Sequence, residues 1–237
     1  MELDQKRVGP AEALPEEIKN SEMEGASREV LDINRFVAKV YQLFAGSLVG
    51  GAVGAYVGTQ LALAGNFNSL LFWGGVILEF VLLFAVIGFR KRAPLNLFLL
   101  YGFTFMTGFV LGPLLGHLIG VGKGGIIGEA FLLTAVGFFG LTWFSMVTKR
   151  DFTGLGKFLI VALLILIAAS ILNLFLQAPM LQLAIAAGGA ILFSIFVIYD
   201  TQQIIRGNVE TPIEGAIMLY LDFLNLFLSL LQLLDND

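Results

Sequence analysis

Two aspartates lie inside apolar runs of helix length near the C-terminus. Asp200 directly follows the apolar stretch Leu181–Tyr199, and Asp222 lies in the middle of Ile213–Leu234. An aspartate within a membrane helix costs about 2.5–3.5 kcal/mol even on permissive insertion scales. Two such costs in adjacent segments indicate a function that requires carboxylates inside a bilayer.

The positions of the two aspartates predict that their side chains meet. Each lies eleven residues from Thr211, the expected tip of the last hairpin. At the helical rise, both therefore lie roughly 15 Å from the inner membrane surface. Facing carboxyl groups can share a proton near neutral pH, because desolvation and mutual repulsion disfavour two full charges. Once deprotonated, the pair would separate, recruit a cationic side chain or transiently bind Ca²⁺ through its oxygens.

Two charged residues of the second apolar run are candidates for the same site. Glu79 lies near the middle of the run and is either hydrogen-bonded within the protein or lines an ion pathway. Arg90 ends the run on the inner side. Its planar guanidinium could bridge two carboxylates, or it could serve as one of three adjacent basic anchors at the membrane surface. Both interpretations of each residue remain open on sequence grounds.

A polar stripe follows the last apolar run. Its members recur at spacings of three, four and three residues: Asp222, Asn225, Ser229 and Gln232. Polar groups in a membrane helix must face protein or water, so this helix is expected to be central in the bundle. Asn225 is a candidate for the ion pathway, and hydrogen bonding between helices is the alternative.

Composition places the chain among membrane proteins. Of its 237 residues, 57% are hydrophobic and 14% are charged, whereas soluble domains carry about 25% charged residues. The net charge is −4 and no basic stripe is present, which argues against a nucleic-acid partner. The absence of cysteine excludes disulfides and thiolate metal ligands. We expect the lipid bilayer, Ca²⁺ and H⁺ as partners and no resident cofactor.

The apolar runs define an all-α membrane protein with seven transmembrane helices in one bundle. Residues 1–33 are polar and acidic and predict a flexible cytosolic tail, with a short helix near Glu16–Glu24, before a membrane domain at 34–237. Each run is close to the roughly 20 residues that cross a bilayer. The predicted helices are Phe36–Leu63, Leu70–Phe89, Leu95–Gly116, Gly125–Val147, Leu155–Leu176, Leu181–Ile205 and Ile213–Leu234.

Basic residues predict the orientation. Lysine and arginine cluster before the first run and in alternate loops, and the opposite side has only Lys123. Because cytoplasmic loops carry the excess of these residues, the N-terminus is expected inside and the C-terminus outside. We therefore expect a multi-pass membrane protein with this orientation.

Several segments resemble the Bax inhibitor-1 family, the transmembrane Bax-inhibitor-motif proteins. The resemblance lies in IYDTQQII (Ile198–Ile205), LYLDFLNLFLSLLQLL (Leu219–Leu234) and the first-helix sequence Asn34–Gly58. The second run, with Glu79 and Arg90 eleven residues apart, is also similar to that family. Together these segments extend the resemblance over residues 34–234.

The resemblance implies a fold and two functions. The family fold is seven helices with the last one surrounded by the other six. Bacterial members are pH-sensitive calcium leak channels, which would make Asp200 and Asp222 the proton sensor, Arg90 its partner and Glu79 part of the route. Other bacterial relatives bind and restrain a membrane-bound AAA protease, and eukaryotic relatives protect against cell death. A non-conducting regulator of such a protease is therefore the alternative.

Enzymatic activity is not expected. Intramembrane aspartyl proteases also place two aspartates on adjacent helices, but they require Gly-x-Gly-Asp at the second. This chain has Leu219-Tyr220-Leu221-Asp222 instead. Serine hydrolysis lacks a base, since His117 is the sole histidine.

Overall fold

A computed structural model describes the backbone of residues 16–236 and the side chains of residues 31–236. This part of the chain is entirely helical, without strands, and each of its seven helices is long and apolar enough to span a membrane. The helices are α1 (Glu16–Leu63), α2 (Ser69–Gly88), α3 (Leu95–Gly120), α4 (Gly125–Val147), α5 (Gly156–Leu176), α6 (Pro179–Ile205) and α7 (Pro212–Asp235). The predicted fold class is confirmed.

The start of α1 differs from the expected tail. The helix begins at Glu16 and runs without a break through residue 34, so the short helix expected near Glu16–Glu24 belongs to a longer one. Pro15 precedes the helix and no proline follows before Pro94, so no proline interrupts the hydrogen-bond ladder. Residues 1–15 of the predicted tail lie outside the described residues. The division into two domains stays a prediction.

The last helix occupies the centre of the bundle. Of the seven helices, α7 has the largest share of buried residues. Its main contacts are with α1, α4 and α6, and it makes a few with α3, whereas α2 packs mainly on α3 and α5 mainly on α6. The central helix is thus lined mainly by three neighbours rather than six, with α2 and α5 forming the outer flanks.

Glycines bring α1 and α3 into backbone contact. Glycines recur every four residues along α1, from Gly46 to Gly58, and α3 lies against this face. A Cβ atom at Gly54 would lie 3.0 Å from the Phe109 amide nitrogen, and one at Gly108 would lie 2.8 Å from the Ala55 nitrogen. Such spacing is available only where one of the two residues at the contact is a glycine. This tight pair forms one wall around α7.

The α6–α7 connection has well-defined ends. Gly207 has a φ of +71°, a left-handed conformation that suits glycine at the end of a helix. The Thr211 hydroxyl accepts a hydrogen bond from the Glu214 amide at 3.3 Å, and Pro212 occupies the first turn. The capping arrangement follows the Thr-Pro-Ile-Glu sequence. It fixes where α7 begins and hence how far Asp222 lies from the loop.

Candidate functional site

The structure brings Asp200 and Asp222 together. Their carboxyl groups lie within interaction distance of each other, and the residues are only 6% and 4% exposed. Two ionised carboxylates have only acceptors, so a hydrogen bond between them requires that one carboxyl carries a proton and donates it. Two carboxyl groups placed in this way can hold one shared proton between α6 and α7.

The two aspartates meet although they are not at the same depth. Asp200 is five residues from the end of α6, whereas Asp222 is ten residues from the start of α7. The register follows from two close contacts between the helices, Gly189 with Ser229 and Ile204 with Gly215. In this register Asp222 lies farther from the loop than Asp200 by about one turn, or about 5 Å.

Side-chain direction closes this gap. Cα–Cβ bonds tilt toward the N-terminus of their own helix. In antiparallel helices the tilts are opposed, so the side chain of Asp200 leans away from the loop while that of Asp222 leans toward it. Counting eleven residues from Thr211 to each aspartate therefore predicted the contact correctly. The equal depths that this count implied for the two aspartates were wrong. Six non-helical residues connect the helices, and Thr211 is the last of them rather than their midpoint.

Unpartnered oxygen atoms lie in this part of the bundle. Asp222 Oδ2 is buried and has no hydrogen-bond partner among the described residues. The hydroxyls of Tyr41, Thr142 and Thr201 are also buried, and Tyr41 approaches both threonines without making a hydrogen bond of good geometry. Thr201 is the direct neighbour of Asp200 in the chain. Buried polar groups are ordinarily satisfied, so this region offers oxygen atoms to a proton, water molecule or cation.

Arg90 lies elsewhere. Its Nη2 donates to Glu210 Oε2 at 2.9 Å, and its Nε lies 3.6 Å from Glu214 Oε2. Among the described residues, its ion pairs are therefore with the α6–α7 loop and the first turn of α7, not with Asp200 or Asp222. The predicted contact with the aspartates is not made. The physical reason is that these surface carboxylates receive the guanidinium at a smaller desolvation cost than a site inside the bilayer.

The loop carboxylate is strongly paired. Hydrogen bonds from Lys91 and Arg90 lower the pKa of Glu210 below its usual value. Lys91 Nζ lies 2.9 Å from Glu210 Oε2. This ionic cluster ties the C-terminal end of α2 to the beginning of α7. The sequence contained the acidic partners, but spacing alone did not indicate which carboxylates Arg90 would choose.

Glu79 belongs to a second polar group on the other side of α7. It is half-buried and lies beside the Thr107 hydroxyl, which donates to the Phe103 carbonyl at 3.0 Å. Tyr220 also approaches Thr107, and its hydroxyl donates to the Thr104 carbonyl at 3.2 Å. The sequence reasoning missed Tyr220 and Thr107, and a tyrosine two residues before Asp222 was the available signal.

Asn225 makes a local contact. Its Nδ2 donates to the Leu221 carbonyl at 2.7 Å, and the Ser229 hydroxyl donates to the Asn225 carbonyl at 2.8 Å. Both bonds lie within α7. Neither the interhelical hydrogen bonding nor the pathway role proposed for Asn225 follows from these contacts. The polar stripe is nevertheless continuous from Asp222 toward the far end of α7.

A protein-family model described as "Inhibitor of apoptosis-promoting Bax1" matches residues 33–237. The chain belongs to the Bax inhibitor-1 family. The matched range confirms the resemblance in residues 34–234, and it includes both aspartates.

Relatives of this Bax inhibitor-1 family member occur in bacteria and viruses. An uncharacterized protein of Campylobacter jejuni is 52% identical over 208 residues, covering 86% of this chain and 90% of the relative. An uncharacterized membrane protein of Vibrio cholerae is 32% identical over 213 residues, covering 87% and 93%. The Golgi anti-apoptotic protein of vaccinia virus is 40% identical over 155 residues, covering 65% and 64%. The seven apolar helices of this chain, together with these relatives, support a multi-pass integral membrane protein.

No group of three or more histidine, aspartate or glutamate residues is close enough to hold a metal among the described residues. Calcium usually takes six to eight oxygen ligands. Asp200 and Asp222 could supply part of such a shell, with the rest from hydroxyls, carbonyls or water.

Proposed function

We propose that this Bax inhibitor-1 family member is a pH-sensitive calcium leak channel whose closed state is held by the proton shared between Asp200 and Asp222. The observation that carries the proposal is the buried contact between two carboxyl groups on different helices. A structural hydrogen bond could be made by neutral side chains at a lower insertion cost. Two acids in contact supply something that neutral groups lack, namely a link that depends on pH.

Proton loss would open this link. Two unit charges about 4 Å apart repel by about 4 kcal/mol at an effective dielectric constant near 20. That energy exceeds the net contribution of a typical hydrogen bond, about 1 kcal/mol. The deprotonated aspartates must separate, which moves α6 relative to α7, or they must bind a cation. A proton and Ca²⁺ therefore compete for one place, and acidification closes the pathway.

Arg90 acts from the inner surface in this proposal. Through Glu210 and Glu214 it holds the end of α2 to the start of α7, and so restrains the helix that carries Asp222. To pair with Asp200 or Asp222, the Arg90 side chain would first have to leave both Glu210 and Glu214. Glu79 and Asn225 are proposed to flank the route on α2 and α7.

Calcium flux in proteoliposomes tests the proposal. Flux through the unmodified protein should fall as the medium is acidified, and Asp200→Asn and Asp222→Asn should each abolish that response. Glu129→Gln is the matched control, because it removes a carboxylate that is exposed on α4 and should keep the pH response. An unchanged pH response in both asparagine variants would reject the mechanism.

We further propose that the N-terminus faces the cytoplasm of a bacterial inner membrane. The support is the asymmetry of basic residues between the two sides of the membrane. Lys123, on the side that is poor in basic residues, is paired with Asp235 at 3.0 Å. Lys123 is the lone basic residue of its side, and this ion pair offsets its charge. Single cysteines introduced at the two ends of this cysteine-free chain would report the orientation by their reaction with a membrane-impermeant reagent.

A further inference from the structure

A polar cavity opens between α5, α6 and α7 at the end of the bundle opposite the Arg90 cluster. Its volume is about 360 Å³, and it is lined by Ser170, Asn173, Leu174, Gln177, Gln182, Ile185 and Gln232. Four of the seven lining residues are amides, and none carries a charge. No hydrogen bond from another described residue holds the side-chain amides of Gln177, Gln182 or Gln232. Asn173 Oδ1 is engaged, since it accepts from the Ala178 amide at 3.0 Å.

The cavity lies at the end of the polar stripe on α7. Gln232 lines the cavity, and Asp222 is ten residues away on the same helix, or about 15 Å along its axis. Ser229 and Asn225 lie between them. The stripe thus leads from the cavity at one end of the bundle to the aspartate pair in its interior.

Leu166 of α5 lies beside this route, one turn from the cavity lining. Methyl groups placed at Gly188 and Gly189 would lie 3.7 and 3.6 Å from the Cδ atoms of Leu166, and the one at Gly189 would also lie 2.5 Å from Ser229 Oγ. Leu166 therefore lies beside Gly188 and Gly189, and Ser229 lies beside Gly189. Ser170, one turn away from Leu166 on α5, belongs to the cavity lining. Leu166 is thus an apolar side chain between the cavity and the deeper part of the stripe.

We propose that this amide-lined cavity is the outer vestibule of the conduction route, that it takes hydrated divalent cations, and that Leu166 is its plug. The inference rests on the proposed leak function and adds the entry site. Amide carbonyls and hydroxyls are ligands that Ca²⁺ accepts. Uncharged donors hold a cation weakly, which suits a site that an ion must leave. Small displacements of α5 from Gly188 and Gly189 would connect the vestibule with Ser229 and then with Asp222.

The absence of cysteine makes an accessibility experiment direct. Gln182→Cys and Gln232→Cys are compared with Leu172→Cys, which lies on α5 near the same end but is 52% exposed on a face that does not line the cavity. The probe is a positively charged methanethiosulfonate reagent applied to protein in lipid nanodiscs. Because a charge enters lipid only at a cost of about 2.5–3.5 kcal/mol, the two vestibule thiols should react at least about tenfold faster than the control thiol. Calcium should slow the vestibule reactions, and attachment of the charged group should reduce calcium flux in proteoliposomes.

The outcomes separate the vestibule from the leak itself. Fast, calcium-protected labelling in a protein without any flux would support the vestibule and reject the proposed function. Flux that persists unchanged after complete labelling of both thiols would reject the vestibule and leave the leak intact. Equal labelling rates at all three positions would also overturn the inference.

A second pair of variants tests the plug. Leu166→Ala removes the plug and should raise calcium flux several-fold at a fixed pH, whereas Leu164→Ala, a 59% exposed residue of the same helix, should not. The pH at which flux is half-maximal should stay the same in both, since neither touches the aspartates. Equal flux in the two variants would show that Leu166 does not block the route.

Discussion

Gly108→Ala should loosen the scaffold that positions α7. The new methyl group would lie 2.8 Å from the Ala55 nitrogen and closer still to the Gly51 carbonyl oxygen. Both are backbone atoms of α1 and cannot rotate away, so α1 and α3 must move apart. Forcing extra atoms into a packed contact typically costs about 1–3 kcal/mol.

Gly140→Ala provides the matched control. Gly140 is also inside a helix, but a methyl group there would meet no atom within 4 Å. Replacing glycine by alanine in a helix gains up to about 1 kcal/mol from backbone propensity, and this gain is common to both variants. The difference between them therefore isolates the steric term, and Gly108→Ala should be less stable than Gly140→Ala by about 1–3 kcal/mol.

Unfolding by SDS titration in mixed micelles measures this difference. Helical content and the fluorescence of Trp73 and Trp143 would follow the transition. A Gly108→Ala protein as stable as the Gly140→Ala protein would show that α1 and α3 are not in backbone contact. The description of the wall beside α7 would then be wrong.

Three further predictions concern the loops. Thr211→Ala removes the cap of α7 and should lower the free energy of unfolding by about 1 kcal/mol in the same titration. Hydrogen bonds from Thr153 and then Arg206 lower the pKa of Asp151 from 3.8 to about 2. The stabilisation of the folded protein by these hydrogen bonds is therefore fully present above pH 3.8, the ordinary pKa of aspartate, and is lost as pH falls through about 2. Asp151→Asn should accordingly lower the melting temperature near neutral pH but have no effect in strong acid, and an effect independent of pH would contradict this. Arg90→Gln should raise the pKa of Glu210 toward its usual value, which carboxyl NMR would detect, and an unchanged pKa would show that Lys91 alone holds it.

The helices themselves could be predicted from sequence because the physical signal is strong. Seven runs each contain enough apolar residues to cross a bilayer, and short polar loops separate them. Boundaries were less accurate where the sequence gives no sharp stop. α3, for example, continues to Gly120 rather than ending at Gly116.

The meeting of the two aspartates could be predicted, but its geometry could not. Residue counting assumed a hairpin centred on Thr211. The loop instead lies almost entirely on the α6 side of Thr211, so Asp222 lies about one turn farther from the loop than Asp200 does. Opposed side-chain tilts restore the contact. The partners of Arg90 depend on loop shape, because Glu210 and Glu214 become its neighbours only when the α6–α7 connection folds beside the end of α2. The cavity between α5, α6 and α7 likewise depends on packing that periodicity does not reveal.

Infrared difference spectroscopy of the carboxyl groups tests the central claim most directly. The protein would be titrated from acidic to alkaline pH in lipid, and the carbonyl band of protonated carboxyl groups would be compared with that of Asp200→Asn and Asp222→Asn. The account predicts a protonated carboxyl near neutral pH that disappears over the pH interval in which calcium flux rises, and whose band position and titration both change in each variant. A neutral-pH spectrum without that band, or a band whose position and titration are the same in both variants as in the unmodified protein, would contradict the sharing of a proton by these two aspartates.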